Sequence, residues 1–297
     1  MRSQKETESN IATKAALTGF DVQLRLANEM LFLKQVTTSM SIENAQFECL
    51  NQGGILPLED SDEFIDKMSV LVGDSSSTRF TSLVREVGSD PNQPHLVWQT
   101  GRVETTVVGP SHPKYTTWNQ RYFVVNPVTK TFESVPSSTV KSQFFCQYLG
   151  DNLALNKVTY PSSTLYGSDE GPGVVDGVIG MSYWHVYTHS TLTKHWFAVD
   201  LGGEFLVSRL IFVGRRDCCG DRNRFMKVWI GNVVPPADQP LDYGSYQLCG
   251  EYPFIYTTGH ISGISCVNGI QGQIVILENG NQAGAVTLFQ LTEVLIF

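Results

Sequence analysis

Residues 215–222 read Arg-Arg-Asp-Cys-Cys-Gly-Asp-Arg, and no other stretch of the chain concentrates so much chemistry. Two guanidinium groups, Arg215 and Arg222, surround an acidic Asp217 and two adjacent cysteines, Cys218 and Cys219. Arginine forks grip paired oxygens through bidentate hydrogen bonds. Adjacent cysteines, once oxidised, close a small, stiff, apolar ring that an ordinary core does not require. Forks for hydroxyls beside a flat apolar plate suit a small polyhydroxylated ligand with one apolar face. A sugar is the natural candidate.

The surrounding charge agrees. Residues 209–227 hold six Lys/Arg against Asp217 and Asp221, a net +4 patch on a 297-residue chain whose formal net charge is -8. The patch points to a ligand that offers oxygens. The acidic whole argues against nucleic acid or an anionic membrane as main partner. No apolar run approaches the length of a spanning helix. No nucleophile–base pair, phosphate loop or catalytic-metal spacing is present, so the sequence does not read as an enzyme.

The elements that must position this loop are short strands. From Asn152 onward helix signals vanish, and β-rich runs recur at 196–201, 207–213, 225–230, 273–277 and 286–296 between Gly, Pro, Asn and Asp. That spacing predicts an all-β antiparallel sandwich. The first half reads differently. Residues 1–19 are polar and small, predicting a mobile leader. Ser41 can cap a helix carrying Ile42, Ala45 and Cys49, stopped by Gly53-Gly54. Asp60 with Glu63 reads as a capping-box start for a second helix with Phe64, Ile65, Met68 and Leu71 on its apolar face. Short strands and Pro/Gly-bearing loops follow Thr78. The expectation is therefore two domains, an α+β domain over 20–149 and an all-β domain over 152–297, meeting near Leu149-Gly150-Asp151.

Six cysteines, none with zinc spacing, suggest by their placement the pairs Cys49–Cys146, Cys218–Cys219 and Cys249–Cys266. Bridges imply an oxidising, extracellular setting, hence a secreted protein. The opening MRSQKETESN has no apolar run of a signal peptide and the chain has no Asn-x-Ser/Thr sequon, so secretion is expected from the cysteines alone.

On these residues the second half, 152–297, resembles an F-type lectin (fucolectin) domain, a jelly-roll or discoidin-like β-sandwich. The resemblance is carried by Asn152-Leu153-Ala154-Leu155-Asn156-Lys157, Pro161-Ser162-Ser163, Val175-Asp176-Gly177, Trp196-Phe197 with Val199-Asp200-Leu201-Gly202, the 215–222 core, and Leu291 with Glu293-Val294. The family's sugar signature is a histidine, then Arg-x-Asp, then a basic residue five positions on. Arg215, Asp217 and Arg222 fill the later places, and His189 matches the histidine at an interval one residue short, with His185 as the fallback. The resemblance implies that His189, Arg215 and Arg222 donate to the 3-OH, axial 4-OH and ring oxygen of α-L-fucose. Asp217 would hold the arginines, the Cys218–Cys219 ring would pack on the pyranose edge, and Tyr183 would receive the 6-methyl. Burying one methyl is worth about 0.8 kcal/mol.

The resemblance also implies a structural Ca²⁺, with carboxylates from Asp176 and Glu293 and carbonyls from Gly173 and Val178, oxygen ligands that suit a hard cation. Val178 and Val186 stand where polar residues are more usual, and Tyr187 and Thr292 stand where two cysteines commonly pair. The first half is similar to a C-type lectin-like domain through Ala45-Gln46-Phe47 with Cys49, Gly53-Gly54 with Leu56, Asp62-Glu63-Phe64, Val97-Trp98-Gln99-Thr100-Gly101 and Phe144-Phe145-Cys146-Gln147-Tyr148. It lacks that family's calcium-cage triplets: Asp90-Pro91-Asn92 is out of order and Phe132-Glu133-Ser134 replaces the Trp-Asn-Asp. A scaffold or protein-contact role is expected for it.

The partners implied are fucosylated glycans or glycoproteins. One monosaccharide site per chain predicts a homo-oligomer, because avidity needs several sites held together. The competing expectation is a discoidin-like adhesion module that contacts a protein without reading sugar.

Overall fold

A computed structural model describes residues 2–27, 29–73, 76–86, 96–101, 103–105, 117, 120–163, 172–179, 187–188, 195–237, 239–256, 258–280 and 289–297. The chain divides into two compact units, Met1–Trp98 with Val103–Asp151, and Gln99–Arg102 with Asn152–Phe297. Among the described residues strand dominates, and helices are confined to the first unit apart from single 3-10 turns.

In the first unit, α1 spans Arg2–Leu17, where the sequence predicts a mobile leader. The difference has a packing cause. Ala15 is fully buried and Ala12 packs beside it against a core that includes Phe20, Phe32, Val36 and Phe144. Strands β1 (Val22–Arg25) and β2 (Met30–Val36) form a hairpin, and β3 (Met40–Ser41) leads into α2 (Ile42–Asn51). Ser41 caps α2 as expected, accepting from the Asn44 N–H at 3.3 Å. After β4 (Gly54–Ile55), α3 runs Asp62–Val72. Its cap is Ser61, not Asp60. The Ser61 hydroxyl accepts from Phe64 N–H at 3.2 Å, while Glu63 pairs with Lys67 at 2.9 Å instead of closing a box. Gly73, at φ +68°, ends the helix in the left-handed conformation that glycine adopts without cost. Phe64, Ile65 and Met68 are buried, but Leu71 turns to solvent.

Seven strands complete this unit: β5 (Arg79–Arg85), β6 (Leu96–Trp98), β7 (Val103–Thr105), β8 (Tyr122–Asn126), β9 (Thr131–Val135), β10 (Val140–Lys141) and β11 (Phe144–Tyr148). They give a β1-β2-β11-β4 sheet, a β7-β6-β5-β8-β9 sheet and a short β10-β3 ladder. The Cys49–Cys146 bridge ties α2 to β11 across 97 residues. On the chain-entropy account it stabilises by about 4–5 kcal/mol.

The second unit is antiparallel β throughout its ladders. It contains β12 (Val158–Pro161), β13 (Tyr187–Thr188), β14 (His195–Val213), β15 (Arg224–Gly231), β16 (Tyr246–Ile255), β17 (Ile261–Asn279), β18 (Phe289–Gln290) and β19 (Glu293–Ile296). The main sheet runs β12-β14-β17-β15-β16, with β19 on the far half of β14. The two runs predicted at 196–201 and 207–213 are one strand whose register breaks between Asp200 and Phe205. Its first part pairs β12 and its last part pairs β19, so one strand carries two ladders around a common core. Alternation on β15 shows how that core is chosen. Met226, Val228 and Ile230 point in, while Lys227 and Trp229 lie on the opposite face, where Trp229 packs against a second cluster that includes Trp196 and Ile276. Their buried neighbours include Phe197, Leu210, Phe212, Val275 and Leu277. The Cys249–Cys266 bridge joins β16 to β17.

Candidate functional site

The 215–222 loop connects β14 to β15. It begins where Gly214 N–H bonds His260 O at 2.8 Å and Gly259 N–H bonds Arg215 O at 2.5 Å. Cys218 and Cys219 are bridged, with Cα atoms 3.8 Å apart. Cys219 sits at φ +65° and starts the 3-10 turn Gly220–Arg222. Arg222 N–H closes that turn on Cys219 O at 3.2 Å. All three expected disulfides are present.

Two buried asparagines hold the loop down, and sequence reading missed both. Asn223 exchanges hydrogen bonds with the Gln290 backbone: its amide donates to the Gln290 carbonyl, and its Oδ1 accepts from Gln290 N–H at 3.0 Å. Asn279 bridges the next step, accepting from Arg224 N–H at 2.9 Å and donating to Arg222 O at 2.9 Å. Their signal lay in type and place, since each is a short amide at the end of an apolar strand.

Charge within the loop is divided. Arg215 lies flat on Asp217 in a bidentate pair, Nε–Oδ1 2.9 Å and Nη2–Oδ2 2.6 Å. Its third edge reaches Gln290 Oε1 at 3.4 Å. The Arg215 hydrogen bonds hold the Asp217 carboxyl below its ordinary value. Arg224 bonds the Asp221 carbonyl at 2.6 and 3.0 Å. Among the described residues none accepts from the Arg222 guanidinium. Asp217 was expected to hold both arginines; among the described residues Arg215 is the guanidinium paired with it, and the backbone N–H groups of Asp217 and Cys218 also bond its carboxylate. Among the described residues the arrangement therefore presents one clamped guanidinium and one without an acceptor, with the disulfide ring between them in sequence.

Beside β19 a second feature appears. Glu293 is fully buried, and burial first, then Asp176, pushes its carboxyl up to about 9. Its Oε1 accepts from Gly177 N–H at 3.2 Å, its side chain also hydrogen-bonds Asp176, and Oε2 is buried with no protein donor among the described residues. Asp176 is exposed and accepts from Val178 N–H at 2.8 Å. Gly173 is buried in the turn Pro172–Val174, Val178 is 58% exposed, and Thr292 is buried with its N–H on Val213 O. Two carboxylates converging with one orphaned oxygen fit a divalent cation, which would relieve both repulsion and burial. No cluster of three or more His, Cys, Asp or Glu side chains exists among the described residues, so such an ion would rely on backbone carbonyls. His189, its fallback His185, Tyr183 and Val186 lie outside the described residues.

Comparison with protein families finds no match, and neither does comparison with curated proteins. Solved structures similar to half of the chain include the lectin domain of lectinolysin complexed with Lewis B antigen, at 22% identity over 50% of this chain and 96% of that one, TM-score 0.38. A Streptococcus pneumoniae fucose binding module, SpX-3, is 22% identical over 50% of this chain and 97% of its own, TM-score 0.38. A chitosan-binding module from a Paenibacillus sp. IK-5 chitosanase/glucanase is 19% identical over 50% and 98%, TM-score 0.37. Scores at this level decide neither the fold nor the ligand of this chain.

Proposed function

We propose that the protein is a secreted, non-catalytic lectin whose second unit, an F-type lectin-like jelly-roll sandwich, binds terminal L-fucose. The observation that carries this reading is the 215–222 loop. Asp217 fixes one guanidinium by a two-point pair, Arg222 has no acceptor among the described residues, and a disulfide ring separates them in sequence. Guanidinium donors without an acceptor among the described residues favour a ligand that offers oxygens, and the apolar ring favours one with a hydrophobic edge. His189 and Tyr183 complete the pocket in this reading. A calcium ion held by Asp176 and Glu293 with the carbonyls of Gly173 and Val178 braces it. Its support is the orphaned Glu293 oxygen. The first unit is a C-type lectin-like scaffold without sugar binding of its own, and several chains assemble for avidity.

The test is an array of fucosylated and non-fucosylated glycans, read with and without free L-fucose. Retention on fucosylated glycans that free fucose competes away supports the proposal. Retention indifferent to free fucose supports a protein-adhesion module instead and rejects it.

A further inference from the structure

The first unit contains a cavity of about 220 Å³ that the sugar-binding reading does not use. It lies between the end of α3, the start of β5 and the β10–β11 turn. Met68, Val72, Phe80 and Phe145 supply apolar wall, and Thr78 and Lys141 supply the polar end. Glu59 and Arg79 also line it, but they satisfy one another. Arg79 Nη2 meets Glu59 Oε2 at 2.6 Å, and the remaining Arg79 donors reach Ser69 Oγ and Ile65 O.

Lys141 is the charge left over. Its ammonium donates to the Thr78 hydroxyl at 2.7 Å, a neutral acceptor, and it makes no ion pair among the described residues. Glu133 on β9 acts on it only through its field. Burial holds the ammonium below the usual lysine range despite Glu133. A cation held part-buried against a hydroxyl, in a cavity lined by both apolar and polar side chains, has among the described residues no acidic partner of the kind such groups normally take.

We propose that this cavity binds a small monoanionic amphiphile, its carboxylate on Lys141 and Thr78 and its aliphatic body against Met68, Val72 and Phe145. The volume limits the ligand. It equals about seven water volumes, room for a molecule of about eight to ten non-hydrogen atoms. The site is independent of the 215–222 loop, so fucose binding on the same sample reports separately on the other unit.

The experiment titrates sodium hexanoate into the isotope-labelled full chain and follows the backbone amides of Val72, Ser142 and Gln143. Hexan-1-ol and hexylammonium serve as matched neutral and cationic probes. Saturable shifts with hexanoate are expected, at least tenfold weaker with either control. Lys141→Met should cost hexanoate at least tenfold, and Val72→Trp, which fills the chamber, should abolish its shifts while the rest of the spectrum is retained. Equal binding of hexan-1-ol, undiminished hexanoate binding in Lys141→Met, or no saturable shift in the unaltered chain would each overturn the proposal.

Discussion

The ion pair between Glu59 and Arg79 offers a sharp test of how the first unit is held together. Glu59 is fully buried and Arg79 is 9% exposed. Arg79 Nε lies 3.3 and 3.2 Å from the two Glu59 oxygens and Nη2 lies 2.6 Å from Oε2. Arg79→Met should leave an uncompensated carboxylate, and Glu59→Met an uncompensated guanidinium. Each single change is expected to destabilise by about 3–5 kcal/mol. The double change removes both charges and replaces them with apolar volume next to Met68 and Phe80. Ile65 O keeps the Ser69 hydroxyl at 2.8 Å, so no carbonyl is orphaned by losing Arg79. The double variant should therefore lie within about 1–2 kcal/mol of the parent, giving a coupling of several kcal/mol. Urea unfolding read by fluorescence and far-UV circular dichroism measures this, with the two units fitted as separate transitions. Additive losses, with the double variant as unstable as the singles summed, would refute the assignment of a mutually dependent buried pair.

Three further outcomes follow from the second unit. Asp217→Asn removes the carboxylate that clamps Arg215 and should weaken fucose binding about tenfold, near 1.4 kcal/mol, without shifting the unfolding midpoint; calorimetric titration checks the first and urea unfolding the second. Asn223→Ala deletes two buried hydrogen bonds to Gln290 and leaves its partners unpaired, so the second unit should lose about 1–3 kcal/mol in urea unfolding. In chelator the folded state keeps a proton on Glu293 that the unfolded chain releases above its ordinary value of 4.5, so stability should fall as pH rises from there toward 9. Added Ca²⁺ should restore the loss, and Glu293→Gln should abolish both the slope and the calcium effect; a calcium-independent slope would contradict the bound ion.

Much of this was written plainly in the sequence. The cysteine placement forecast every bridge, and Ser41 announced α2, because caps and crosslinks are local chemistry. The strand at 224–231 showed itself through alternation, whereas Tyr246–Ile255 did not, since its burial follows no strict period. The α1 helix was hidden because polar residues dominate it and, among its described side chains, Ala12 and Ala15 are those that face the core. At the site, residue types told which side chains could grip oxygens, but not how they divide. That Asp217 pairs with Arg215, that Asn223 ties the end of the loop to Gln290, 67 residues further along the chain, and that Asn279 reaches Arg224 across 55 residues, are consequences of tertiary packing.

The central claim is that the 215–222 loop reads a sugar through Arg222. Calorimetric titration of methyl α-L-fucoside into the full chain and into Arg222→Ala tests it most directly. Saturable binding to the unaltered chain and a loss of a hundredfold or more in the variant, about 2.7 kcal/mol, are expected. Unchanged affinity in Arg222→Ala, or no binding by the unaltered chain in the presence of Ca²⁺, would contradict the account.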